Sequence, residues 1–161
     1  MSKPEINLTI NGHERSAAVE PRVSLLDFLR EDMALSGTHT GCEHGVCGAC
    51  SILLDGVPIR ACLMLAVQAD GCHVTTVEGL CNDDGGPGGL QDAFVEAHGM
   101  QCGYCTPGML ISAQALLAEN DDPTLEQIKD AIGGNLCRCT GYVQIIESIQ
   151  LAAARLREAR S

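Results

Sequence analysis

The sequence predicts an α+β chain in two parts, a strand-rich first half with one short helix and a second half of four helices. Three observations carry this reading. Asn11-Gly12 and Asp55-Gly56 are hairpin turns set between short apolar runs. The stretch Asn82-Asp83-Asp84-Gly85-Gly86-Pro87-Gly88-Gly89 has no apolar side chain and reads as a linker. Beyond it, apolar residues recur at helical spacing behind capping signals.

Taken in order, Ile6, Leu8 and Ile10 alternate and predict a first strand, and a second follows the Asn11-Gly12 turn through about Val19. Leu25, Leu26, Phe28 and Leu29 mark an amphipathic helix with Ser24 as its N-cap. A glycine- and cysteine-rich loop spans 37–50. Strands are expected at Ser51–Leu54, through about Arg60, and at His73–Val77. In the second half Leu90, Ala93, Phe94 and Ala97 share a helical face, with Gly99 as the stop. Thr106-Pro107 reads as an N-cap with proline at the first helical position, opening a helix to about Glu119. Thr124 and Gln127 form a capping box ahead of Leu125, Ile128 and Ile132, and Gly133-Gly134 ends that helix. A last helix is expected from about Tyr142 to Arg157. Four short helices pack most simply as a bundle. The division is therefore 1–81, a linker at 82–89, and 90–161.

Composition narrows the function. A net charge of −11 excludes a nucleic-acid partner, since phosphate binding needs Lys and Arg to displace counterions. No run approaches the roughly 20 apolar residues of a membrane span, and the first residues lack a secretory pattern. The chain is read as cytoplasmic. Aromatics make up only 2% of residues, so the small cores need another staple. Ten cysteines in a reducing compartment point to metal binding or redox chemistry rather than to disulfides.

Eight of the ten fall into two sets. Cys42, Cys47, Cys50 and Cys62 follow C-x4-C-x2-C with a fourth cysteine further on, the spacing of plant-type [2Fe–2S] ferredoxins. Three thiolates from one loop must wrap a cluster, and Gly41, Gly45 and Gly48 permit the positive φ angles this needs. Structural zinc prefers two short-spaced pairs, and a Rieske centre needs two histidines. His39 and His44 are accordingly expected to be solvated. The second set is Cys102, Cys105, Cys137 and Cys139, in the pairs Cys-Gly-Tyr-Cys and Cys-Arg-Cys. Cys105-Thr106-Pro107 and Cys139-Thr140-Gly141 echo each other, each closing a cysteine pair and opening a helix. Spacing alone leaves this set open to a cluster or to tetrahedral zinc. Cys72 and Cys81 have no partner spacing and read as buried or idle thiols. A free-standing ferredoxin and a zinc-binding interaction module are the rival functions.

Three blocks, in order, carry a resemblance. Gly41-Cys42-Glu43-His44-Gly45-Val46-Cys47-Gly48-Ala49-Cys50 resembles the first cluster loop of the xanthine oxidase family of molybdenum hydroxylases. Gln101-Cys102-Gly103-Tyr104-Cys105-Thr106-Pro107-Gly108 and Gly134-Asn135-Leu136-Cys137-Arg138-Cys139-Thr140-Gly141-Tyr142 resemble its second cluster motifs. The likeness runs from about Ile6 to Leu151. It implies a β-grasp ferredoxin-like domain followed by a four-helix domain, each with a [2Fe–2S] cluster, and it favours a cluster over zinc at the second set. It implies the separate small subunit of a three-subunit oxidoreductase, with no catalytic acid or base of its own. The implied partners are a medium subunit with FAD and a large subunit with molybdopterin in the cytosine dinucleotide form, assembled as a dimer of heterotrimers. The implied relay runs from molybdenum through the helical-domain cluster to the other cluster and then to FAD. Gln101 and Cys139 would touch the pterin, Cys139 while also binding iron.

Overall fold

A computed structural model describes residues 3–82, 85–86 and 88–160. Strands β1 (Glu5–Ile10) and β2 (His13–Ala18) pair antiparallel from Glu5–Ala18 to Ile10–His13. Asn11 and Gly12 both take positive φ in the turn, which matches the twist of the hairpin. The alternation in β1 buries Ile6, Leu8 and Ile10. Ser24 caps the next element as expected, its Oγ accepting the Asp27 N–H at 3.0 Å. That element, α1 (Leu25–Asp27), widens at once into a π-turn over Phe28–Asp32, closed by Met33 N–H to Phe28 O at 3.1 Å. The wide turn keeps Phe28 and Leu29 buried beside Leu25 and Leu26.

Strands β3 (Ser51–Leu54) and β4 (Val57–Arg60) form the second hairpin. Strand β5 (His73–Thr75) lies between the hairpins, parallel to β1 and antiparallel to β3. The sheet order is β2-β1-β5-β3-β4, a mixed sheet folded over α1. Strand β5 stops two residues short of the expected Val77. The side chain of Asn11 takes the Thr76 N–H at 2.9 Å, and the chain turns into a short 3-10 segment over Val77–Leu80. Ile6, Leu8, Ile10, Phe28, Ile52 and Val74 form the first core.

Of the linker expected at 82–89, residues 83, 84 and 87 lie outside the described residues. Helix α2 (Gly89–Glu96) follows. It ends with His98, not Gly99, in the left-handed conformation, with Gly99 N–H bonded to Phe94 O at 2.8 Å. Helix α3 (Thr106–Glu119) also departs from expectation: Thr106 is its first residue and Cys105 its N-cap. Helix α4 (Leu125–Ile132) has the expected capping box between Thr124 and Gln127. Helix α5 (Val143–Arg160) begins after Tyr142, whose φ is positive. Leu90, Phe94, Met109, Ile128, Ile145 and Ile149 form the second core, and Val77 and Leu80 lean on it.

Helix α3 joins the two parts. It touches α2, α4 and α5 on one side and β3 and β4 on the other. Packed on both flanks, α3 buries residues 108–113 and Leu117 and exposes only Ala118 and Glu119, so it is apolar around most of its girth.

Candidate metal centres

All ten cysteines are free thiols. The loop 41–50 has no strand or helix of its own and is shaped by backbone conformation. Glu43, Gly45 and Gly48 take positive φ, and Gly41 does not. Gly41 serves by absence of bulk, since a Cβ there would stand 2.8 Å from Cys47 Sγ. The loop is held upstream by Arg30, which donates to the carbonyls of Ser36 and Thr38 at 2.8 and 2.7 Å.

Within the first set the Cys47 N–H donates to Cys42 Sγ at 3.4 Å. Cys62 and then Cys47 act electrostatically on the Cys50 thiol. The backbone N–H groups of Cys47 and then His44 pull the Cys42 thiol down to about 6. Burial pushes Cys50 up to about 11.

In the second set Cys102 and Cys139 come together across the two loops, with sulfurs 3.4 Å apart. Cys105 and Cys137 act electrostatically on each other. The Tyr104 N–H holds the Cys102 thiol low, and the Cys102 thiol in turn raises Cys139. Burial and then Cys137 push Cys105 up to about 12. Burial raises Cys137, but the Thr140 hydroxyl at 3.1 Å and the Thr140 N–H at 3.5 Å outweigh it and leave that thiol lowered. Tyr142 braces this loop: its hydroxyl accepts the Cys137 N–H at 3.0 Å and donates to Asn135 O at 3.4 Å.

Four thiols in each set supply the donors that two irons bridged by sulfide would take, two thiolates to each iron. N–H groups aimed at Cys42 and Cys137 suit sulfurs that carry the negative charge of a cluster.

The two ligand loops meet. The Leu136 N–H donates to Cys47 O at 2.9 Å. Asn135 Nδ2 donates to Gly48 O at 3.1 Å, and Arg60 spans from Ser51 Oγ at 2.6 Å to Gly134 O at 2.7 Å. At the outer rim Tyr104 gives its hydroxyl hydrogen to Thr40 O, and its ring stacks on His39 with centroids 4.9 Å apart. His39 is therefore a half-buried bridge between the loops rather than the solvated residue expected, while His44 is exposed as expected. The exposed edge of the second set carries Gln101, Cys102, Arg138 and Cys139. Cys72 is half-buried and Cys81 exposed, and Cys81 accepts from Gln91 Nε2 at 3.7 Å. Sequence reasoning gave no role to Arg60 or Ser51, because no local spacing marks a side chain with a partner 74 or 84 residues away.

Residues 8–71 match the 2Fe-2S iron-sulfur cluster binding domain, and residues 76–150 match the [2Fe-2S] binding domain. The chain is 50% identical over 155 residues to the nicotinate dehydrogenase small FeS subunit of Eubacterium barkeri, spanning 96% of this chain and 98% of that one. It is 52% identical over 145 residues to the nicotine 6-hydroxylase small subunit of Paenarthrobacter nicotinovorans, spanning 90% and 87%. It superposes on a chain of quinoline 2-oxidoreductase from Pseudomonas putida 86 with a TM-score of 0.93 at 48% identity, over 100% of both chains. Two [2Fe–2S]-binding domains in this order, matched end to end at this identity, mean that the chain belongs to the family of small iron–sulfur subunits of xanthine oxidase-type molybdenum hydroxylases.

Proposed function

We propose that this chain is the electron-relay subunit of a molybdenum hydroxylase, with Cys42, Cys47, Cys50 and Cys62 holding one [2Fe–2S] cluster and Cys102, Cys105, Cys137 and Cys139 the other. The observation that supports the reading is that the two cysteine-bearing loops meet, with the Leu136 N–H on Cys47 O at 2.9 Å and the sulfurs of Cys102 and Cys139 3.4 Å apart. When bound, such clusters take up and return one electron at a time. The chain supplies position, hydrogen bonds to sulfur and a joint between the two ligand loops.

The finer assignment follows the family resemblance. The helical set would face a large molybdopterin subunit, with Gln101 and Cys139 against the pterin, and the first set would face a medium FAD subunit. Exposure supports this. Gln101, Cys102 and Cys139 lie open at one edge, and Val46 and Leu63 stand 59% and 65% exposed around the first loop. A dimer of heterotrimers in the cytoplasm, with pterin in the cytosine dinucleotide form, completes the proposal. So does the division into 1–81 and 90–161. Among the described residues no helix is long and apolar enough to cross a membrane.

Metal analysis with EPR of the reduced chain tests the assignment. About four irons and four sulfides per chain, with two distinct signals, are expected. Stoichiometric zinc, or a single signal, would overturn it.

A further inference from the structure

We propose that Asn135 is a positioning residue that holds the two ligand loops in the register electron transfer between them requires; this rests on the two-cluster reading above. Asn135 is only 2% exposed, an unusual place for a carboxamide. All its polar atoms are engaged. Nδ2 donates to Gly48 O at 3.1 Å and Ser51 Oγ at 3.3 Å, and Oδ1 accepts from Ser112 Oγ at 2.9 Å. Its N–H donates to Ile132 O at 2.9 Å, and its carbonyl accepts from the Tyr142 hydroxyl. One side chain thus ties the first ligand loop, β3 and α3 to the second ligand loop.

The position matters more than the number of bonds. Gly48 follows Cys47, and Leu136 separates Asn135 from Cys137. The Leu136 N–H to Cys47 O bond at 2.9 Å is therefore a direct link between residues next to, or part of, the two ligand sets. Asn135 clamps both sides of that link. An apolar residue of similar volume would fill the site without the cost of desolvating an amide. Directional hydrogen bonds instead admit one register, which buried polar groups can enforce where apolar contacts slide. The step served moves one electron from the centre held by the Cys137 set, which is oxidised, to the centre held by the Cys47 set, which is reduced. No bond is made and Asn135 carries no proton.

The wall opposite Asn135 offers a second handle. A Cβ on Gly108 would press into Gly48 O and stand 2.7 Å from Asn135 Nδ2. Gly108→Ala therefore wedges the same joint from α3, while alanine favours the helix itself.

The test uses the full cluster-loaded chain as wild type, Asn135→Ala and Gly108→Ala. Hydrogen exchange over 134–137 should quicken about tenfold or more in each variant, a loss of about 1.4 kcal/mol in local protection. After reduction by one electron per chain, equilibration between the two centres should slow severalfold, because electron tunnelling falls off with the distance between them. Iron content and the EPR line positions of each centre should hold. Unchanged equilibration in a loaded variant, whether or not exchange quickens, overturns the positioning role. If Asn135→Ala fails to load, Gly108→Ala decides alone. A wild-type chain with a single EPR signal sinks the two-cluster reading instead, and that is seen before any variant is made.

Discussion

Replacing Gly48 by alanine separates two costs that the structure stacks at one residue. The first is backbone strain. Gly48 has a φ of +74°, and a left-handed residue with a Cβ costs about 1–2 kcal/mol. Gly12 has a φ of +79° with nothing within 4 Å of an added Cβ, so Gly12→Ala measures strain alone. The second cost belongs to Gly48 only. Its Cβ would stand 2.5 Å from Gly134 O and 2.9 Å from Asn135 Cα, and both are backbone atoms that cannot rotate away. The loops must part, and overpacking of this kind costs about 1–3 kcal/mol. For a chain of this size each kcal/mol lowers Tm by about 2–4 °C, so Gly48→Ala should melt about 2–12 °C below Gly12→Ala. Thermal unfolding is followed by far-UV circular dichroism and by the visible band of the clusters. Equal losses in the two variants would show that the close approach of the loops carries no weight, and the account of the joint would fail with it.

Two further outcomes follow from the same geometry. Cys139→Ala should remove one EPR signal and roughly half of the iron, because Cys139, 3.4 Å from Cys102, is a proposed cluster ligand, whereas Cys72→Ala should retain both signals; equal iron in the two variants counts against the ligand assignment. Arg60→Ala removes donors to Ser51 Oγ and Gly134 O and should cost about 1–2 kcal/mol, below the upper range for charged donors because Arg60 is half exposed. An unchanged urea midpoint would show that Arg60 does not help join the loops.

The parts of the fold legible in the sequence are those set by neighbours along the chain. The Asn11-Gly12 turn, the Ser24 cap and the Thr124–Gln127 box each depend on residues within three positions, and each formed as read. The misreadings share the opposite cause. Strand β5 ends early because Asn11, 65 residues away, takes the Thr76 N–H. Gly99 reads as a helix stop, but its missing side chain is used where α2 meets Ser148 of α5, and His98 supplies the turn. Thr106 yields the cap position to Cys105, which puts a candidate ligand at the start of α3. At the candidate site, spacing proposes the two sets of four cysteines, but no spacing along the chain indicates that the loops carrying them meet through Leu136 N–H and Cys47 O.

The placement of the ligand loops explains why their joint is polar. Each half has its own apolar core, one on the sheet and one among the helices. The loops run outside regular structure, so their carbonyls lack strand or helix partners and must find donors where the halves meet. Cys47 O and Gly48 O find them in Leu136 N–H, Asn135 Nδ2 and Ser51 Oγ. A joint built this way adds little net stability, because each bond replaces one to water. What it adds is a single register. An apolar joint tolerates sliding, and sliding would carry Cys47 away from Leu136 while leaving both cores intact. For a chain whose two centres must exchange electrons, that is the failure a polar joint prevents.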